Sequence, residues 1–282
     1  MTLGEQRVQH FFDSVSSSLT YVVWDSATRD AVVIDPVLDF DVCTQALSQQ
    51  SLHQVELFVL QNQLRVRWIL ETHAHADHLS ASREAKHLWP RSHWGMASAT
   101  SVVFENLRAA RHWPAHLTLA GLGVDRWLND GEELLAGTLR VQILATPGHT
   151  PSCLTYQIGD SLFVGDLLLM PDAGTGRCDF PGGSAAELYN SVFTKLYTLP
   201  DHYKTYVGHD YQPGGRPLSF QSAIGEQKRA NIHLQAATAK PAFVSFRETR
   251  DKGLTVPRLI TPSLDWNLGA HQIVARVEEL EP

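Results

Sequence analysis

A mixed α/β fold is what this 282-residue chain predicts, and three observations carry the prediction. Apolar runs of strand length recur along it, among them Leu19 to Trp24, Val66 to Leu70 and Leu139 to Ala145. Between such runs lie segments whose apolar residues fall three and four apart, the spacing that turns one face of a helix into a core. Glycines, prolines and small polar residues cluster at the ends of the runs, where the chain must turn.

The elements follow in order. Leu19 to Trp24 and Ala31 to Ile34, separated by Asp25-Ser-Ala-Thr-Arg-Asp30, predict a hairpin, and Asp35-Pro36 stops its second strand. Ser51 to Leu64 has Leu52, Val55 and Val59, and Leu57, Leu60 and Leu64, at helical spacing; Leu38 to Gln50 has no comparable signal. Val66 to Leu70 is a strand that delivers the chain into Glu71-Thr-His-Ala-His-Ala-Asp-His78. A helix near Ser80 to Leu88, a strand near His93 and a helix from Ser98 to Arg108 come next. After the Asn129-Asp-Gly131 turn, Leu139 to Ala145, Cys153 to Ile158 and Leu162 to Val164 read as strands. Ser184-Ala-Ala-Glu187 predicts a capping box opening a helix to about Tyr197, and Lys204 to Val207 a last strand.

Composition removes several functions. With 43% apolar and 9% aromatic residues against 19% charged, the chain is neither disordered nor fibrous. Thirty acidic residues against 23 Lys and Arg give a net charge of -7 without a basic block, so no nucleic-acid partner is expected. No stretch approaches the roughly 18 consecutive apolar residues of a membrane helix, and the first residues lack the order of a signal peptide. No membrane partner is expected, and the cytoplasm is the expected location. Cys43, Cys153 and Cys178 are far apart and lack C-x-x-C spacing, which argues against a disulfide framework and a structural zinc site.

Charge divides unevenly along the chain. Residues 1–212 hold 14 basic and 23 acidic residues, whereas 213–282 hold 9 and 7. A soft boundary at Pro213-Gly-Gly-Arg-Pro217 therefore separates residues 1–212, which carry the chemistry, from a C-terminal extension over 213–282.

The chain has 14 histidines, and their clustering is the main functional signal. In an extended segment His73 and His75 point the same way, so both can face one ion about 2.1 Å from each imidazole nitrogen. Asp77 and His78 follow at the expected start of the next helix, facing a second ion or the outer side of the first. His149, Asp166 and His209 stand at apparent strand ends, each directly after a glycine. Glycine lets the chain turn sharply with the side chain that follows projecting inward. The intervals of 71, 17 and 43 residues from His78 onward leave room for secondary structure between these groups.

Together, Thr72-His73-Ala-His75-Ala-Asp77-His78, His149, Asp166 and His209 resemble the five-part signature of the metallo-beta-lactamase superfamily over roughly residues 15 to 212. The resemblance implies an αββα sandwich with a metal site at one edge between two sheets, followed by the short C-terminal extension. That superfamily hosts several reactions, so the fold alone does not choose one. Gly174-Thr-Gly-Arg-Cys-Asp-Phe180, Tyr197-Thr-Leu-Pro200 and His209-Asp210-Tyr211 resemble the persulfide dioxygenases, the family of the ethylmalonic encephalopathy protein. Pro171-Asp-Ala173 and the longer tail depart from its shorter members and imply a bacterial subtype.

The resemblance implies one Fe(II) per chain held by His73, His149 and Asp166. A triad of two histidines and a carboxylate leaves three positions free for O2 and a substrate sulfur. The implied reaction is oxidation of glutathione persulfide by O2 to sulfite and glutathione, a sulfide-detoxifying step. His75, Asp77, His78 and His209 are also present, as second-site or outer ligands. The alternative is therefore a hydrolase of glutathione thioesters resembling glyoxalase II, with two Zn(II) ions and a metal-activated hydroxide.

Glutathione persulfide carries two carboxylates and an ammonium, so its site needs charged anchors away from the metal. Arg177 and Tyr211 match positions that contact glutathione in similar thioesterases, and Arg216 in the Gly-Gly-Arg-Pro loop is a further candidate. Cys178 reads as a packing residue and Asp210 as an anchor for the His209 loop. Trp266 is a candidate for either the cleft wall or a homodimer contact.

Overall fold

In the computed structural model, which describes residues 5–270, the expected opening hairpin is the centre of a longer antiparallel ribbon. Strand β1 (Gln6–Asp13) pairs with β2 (Ser18–Asp25), and β2 with β3 (Asp30–Ile34) in a register that sets Tyr21 opposite Ile34. β1 was not legible from its mixed sequence QRVQHFFD, and its half-buried residues explain why: an edge strand needs no continuous apolar run. The segment without a signal contains two short strands, β4 (Val37–Phe40) and β5 (Leu47–Ser48). Helix α1 (Gln50–Gln61) buries Leu52, Val55 and Val59, while Leu57 and Leu60 face solvent. Leu64, the last member of the second stripe, lies beyond the helix end and is buried in the same core.

β6 (Arg65–Leu70) lies parallel to β3, and β7 (Leu79–Ser80) follows the histidine loop. The next helix, α2 (Ser82–Leu88), starts four residues after His78, so Asp77 and His78 belong to the loop and not to the helix start. Then come β8 (His93–Ala97), α3 (Thr100–Arg111) and β9 (Arg126–Leu128), closing a six-stranded sheet of order β1-β2-β3-β6-β8-β9. β10 (Glu133–Ala136), β11 (Leu139–Ala145), β12 (Leu154–Ile158) and β13 (Ser161–Gly165) begin the second. Helix α4 (Ala185–Ser191) is capped by Ser184, whose hydroxyl accepts from Glu187 N at 3.3 Å. The other half of the predicted capping box is replaced by Ser184 N donating to Gly148 O. β14 (Lys204–Val207) lies parallel to β13, and β15 (Gln221–Ala223) completes the sheet β10-β11-β12-β13-β14-β15.

Alternation along the central strands builds the layers. Tyr21, Val23 and Ile34 meet Val141, Ile143 and Tyr156 in the core between the sheets, where the Tyr21 hydroxyl donates to Val207 O at 2.7 Å. Val22, Val33 and Ile69 point the other way and pack on Leu52, Val55 and Val59 of α1. Strands buried on both faces read as continuous apolar runs, which is why these were the legible ones. On the far side of the second sheet, Leu188, Val192 and Leu196 of α4 and the turn after it join the core with Phe243.

The extension is woven into this framework. It supplies β15, then α5 (Ile224–Ala230), α6 (Lys240–Asp251), which packs on α4, and α7 (Ile260–Asn267). Its residues 271–282 lie outside the described residues. Among the described residues no helix is long and apolar enough to cross a membrane. Cys178 is buried, as a packing residue should be, and burial pushes its thiol well above the usual range.

Candidate metal centre

Every predicted ligand sits on a loop that leaves a strand at one edge of the sandwich. Residues His73 to His78 follow β6, His149 follows β11, Asp166 follows β13 and His209 follows β14. The sheets thus bring together side chains up to 136 positions apart. His73, His149 and Asp166 place one ligand atom each within 4.8 Å of one another, and all three are buried. A second group within the same distance joins the half-buried Asp77 to the buried His78 and His209. His73 with His75 and Asp77 makes a third, which joins the other two.

Hydrogen bonds aim the histidines. His149 Nδ1 lies 2.7 Å from Arg177 O; a carbonyl only accepts, so Nδ1 carries the proton and Nε2 presents its lone pair toward Asp166 Oδ2, 3.6 Å away. His73 Nδ1 contacts Thr72 Oγ1 at 3.0 Å, which leaves the buried Nε2 with no partner in the protein. His75 Nδ1 and His78 Nε2 are buried and unpartnered too. Orphaned buried nitrogens are costly unless something else satisfies them, and several in one cluster of histidines fit a bound metal ion.

The electrostatics divide the cluster. Burial, then the neighbouring His75 and His149, holds His73 well below its ordinary pKa, which favours the neutral ring that a metal ion would need. Burial likewise lowers His149 against the pull of Asp166. At Asp166 burial opposes ionisation, but His209, His149 and His73 outweigh it and hold the carboxyl well below the usual range. His209 is held above its ordinary value against burial by Asp166 and Asp77, each 2.5 Å from one of its ring nitrogens. Ser18 Oγ knits the Asp77 group, lying 3.2 Å from His78 Nδ1 and 3.0 Å from His209 Nε2.

A frame of residues that carried no signal in the sequence supports the ligand loops. Asp35, at a left-handed φ of 51°, accepts from Thr72 N and Thr72 Oγ1, both at 2.7 Å. Its Oδ1 and Glu71 Oε2 each lie 3.1 Å from His75 Nε2, and they hold His75 well above its ordinary pKa although burial works against them. Ser80 and Ser82 hydroxyls donate to Glu71 Oε1. From the extension, Asn267 Nδ2 donates to His75 O at 2.9 Å and His78 O at 3.0 Å. Arg247, buried and paired with Asp251 at 2.5 Å, donates to Thr175 O at 3.1 Å, and Asp251 accepts from Cys178 N at 2.8 Å.

Glycines precede the ligands for two different reasons. Gly148 and Gly165 have φ of 150° and 50°, so the expected backbone freedom is used there. Gly208 lies outside that region; its Cβ would meet Asp166 Oδ1 at 2.8 Å, so space is what it provides.

The sequence profile of the metallo-beta-lactamase superfamily matches residues 14–209, a span that contains all seven of these ligand-type residues. The chain belongs to that superfamily. Among its relatives, the "Beta-lactamase hydrolase-like protein" of Xylella fastidiosa strain 9a5c is 44% identical over 264 residues, which cover 93% of this chain and 60% of that protein. The chain thus spans about 60% of the length of this relative. The mitochondrial persulfide dioxygenase ETHE1 of Homo sapiens is 34% identical over 206 residues, 72% of this chain and 68% of that one. The crystal structure of ETHE1 from Myxococcus xanthus aligns with a TM-score of 0.74 at 31% identity, covering 94% of this chain and 99% of that one.

Beside this superfamily metal edge opens a cavity of about 560 Å³. Asp77, His149 and Asp166 line it together with Arg177, Phe180 and Tyr211. Tyr211 stacks on His209, and Phe180 sets its ring against His149 at 5.1 Å. The Arg177 guanidinium is already engaged, bonded to both oxygens of Asp179 at 2.6 Å and to Thr255 O at 2.8 Å. Arg216 lies away from the cavity lining, forked onto Asp172 and Asp210. Asp210 also accepts from Gln212 N and Ser219 N, so it organises the loop after His209. Trp266 donates to Ser80 O at 3.0 Å and lines a separate small void together with His73 and His75.

Proposed function

We propose that the chain is an iron-dependent persulfide dioxygenase that converts glutathione persulfide, O2 and water into glutathione and sulfite. The balance is GSSH + O2 + H2O giving GSH and H2SO3: the S–S bond breaks, the outer sulfur loses four electrons and O2 gains them. The observation that carries this reading is the buried triad of His73, His149 and Asp166, two of whose members, His149 and Asp166, line the cavity, with the His149 Nε2 lone pair directed toward Asp166. Likeness to persulfide dioxygenases supports it. A ferrous ion in such a triad supplies the electron transfer from sulfur to O2 that zinc cannot perform.

The chain's own residues do the rest. Asp166 stays ionised and His73 neutral, so both are ready as ligands without a proton to lose. Phe180 and Leu169 give the cavity an apolar wall that keeps bulk water from the reacting sulfur.

Metal analysis and an oxygen electrode test the proposal together. Protein produced without added zinc should hold about one iron per chain, consume O2 with glutathione persulfide, release sulfite in equal amount, and leave S-lactoylglutathione nearly untouched. Two zinc ions per chain with rapid thioester hydrolysis and no oxygen uptake would replace this reading by a glyoxalase II-like one, for which Asp77, His78 and His209 supply the second site.

A further inference from the structure

The cavity wall is charged unevenly. Near the metal-site end each charge has a partner: Arg177 is on Asp179, Asp172 on Arg216, and Asp77 and Asp166 on His209. Arg247, beneath the wall, is closed on Asp251. Two guanidiniums differ. Arg250, in the last turn of α6, and Arg258, in the loop before α7, line the cavity, and among the described residues neither has a carboxylate at ion-pair distance. The polar contact of the Arg258 guanidinium is Cys43 Sγ at 3.9 Å.

On a convex surface two such arginines would be hydrated side chains and nothing more. Here they share a concave wall with Leu254, Pro257, Leu259 and Ile232, and apolar walls focus the field of a charge into the space they enclose. The cavity falls in the range of roughly 300–1,000 Å³ that encloses a small organic ligand and exceeds what hydrogen persulfide and O2 need. Its lining therefore combines the metal-site groups Asp77, His149 and Asp166 with two guanidiniums of the extension that have no carboxylate at ion-pair distance among the described residues, Arg258 being faced only by the more distant Asp41.

We infer that Arg250 and Arg258 form an anion-binding end of the cavity and select a peptidic thiol whose carboxylates lie remote from the reacting sulfur. The inference rests on the persulfide reading for the identity of the reacting end. It moves substrate anchoring from Arg177, whose fork is closed on Asp179, to two residues beyond the superfamily match at 14–209. The extension then sets specificity, while residues of the sandwich hold the metal.

Calorimetric binding of S-methylglutathione to the metal-loaded full chain tests this without turnover. Arg250→Gln and Arg258→Gln should each weaken binding about tenfold, as loss of one charge-assisted contact does, and the double variant more. The diethyl ester of the probe should bind the unaltered protein as weakly as the free acid binds the double variant. Metal content equal to that of the unaltered protein shows that each variant is folded at the site; where glutamine disturbs it, Arg250→Lys and Arg258→Lys, read for partial retention of affinity, take its place. Unchanged affinity in both folded variants, an ester that binds as tightly as the acid, or coenzyme A binding as tightly as the peptide would overturn the inference. Because the probe does not react, carboxylate-dependent binding without oxygen uptake would reject the dioxygenase and keep the anion end. Oxygen uptake with unaltered affinity in the variants would do the reverse.

Discussion

The proton on His149 Nδ1 is held by the backbone carbonyl of Arg177, 2.7 Å away, and that carbonyl is itself held by the C-terminal extension. Arg247 grips Thr175 O and Asp251 grips Cys178 N, bracketing Arg177 on both sides. Asp251→Ala leaves the buried Arg247 charge unpaired, a loss on the order of 3–5 kcal/mol, and releases the loop that orients His149. A large fall in melting temperature and loss of most bound metal on dialysis are expected, with Asp251→Asn intermediate because its amide oxygen still accepts from Cys178 N. Full metal retention by a folded Asp251→Ala would show that the bracket does not orient the ligand.

Gly165 and Gly208 predict different failures. Gly165→Ala puts a side chain at a φ of 50° and a Cβ 2.6 Å from Thr72 Oγ1, so backbone strain of about 1–2 kcal/mol adds to a clash beside His73. Gly208→Ala keeps an ordinary backbone but presses on Asp166 Oδ1. The first should lower melting temperature and metal content together, and the second mainly metal content. Calorimetry with elemental analysis separates them.

His233 makes stability depend on pH. Burial, then Arg247 and Arg250, lowers its pKa to about 4, and its Nδ1 accepts from Thr175 N at 3.1 Å. The folded value lies below the unfolded one near 6.5, so the neutral ring contributes fully above about pH 6.5 and that contribution is lost as pH falls toward 4. His233→Gln should be less stable than the unaltered chain at pH 8, and the gap in melting temperature should narrow by about 2–4 °C between pH 7 and pH 5. A gap that stays constant over this window would mean that the ring does not titrate there.

His209 distinguishes one metal from two. On the triad reading, His209→Ala should keep most of its iron, whereas His73→Ala, His149→Ala and Asp166→Ala should each lose it. Equal loss from all four would place Asp77, His78 and His209 around a second ion. Iron per chain by elemental analysis is the measurement.

Much of this was legible in the linear chain. His73, His75, Asp77 and His78 lie within six positions, which marks them as a group in the sequence, while the fold divides them, His73, His75 and Asp77 falling together and Asp77 and His78 meeting His209. Strands buried on both faces, such as β2, β3 and β6, announced themselves as unbroken apolar runs. β1, β9, β10 and β15 did not, because an edge or short strand needs only part of its residues apolar. Leu57 and Leu60 looked as apolar as Val55 and Val59, and only packing decided which pair was core.

Residue type and short-range periodicity by themselves determined the mixed α/β class of the fold, the candidate ligand residues and the glycines that precede three of them. Only the tertiary structure decided what aims and surrounds them. Asn267 reaches His75 across 192 positions and Arg247 reaches Thr175 across 72. Nothing in either residue's neighbours in sequence marks such a bond, since hydrogen-bond geometry is set where sheet edges and helices meet after the chain has closed. The same holds for charge: Arg177 is closed on Asp179, while Arg250 and Arg258 face the cavity. In sequence the three are alike, and in the fold their positions relative to the nearest carboxylates give them different electrostatic surroundings.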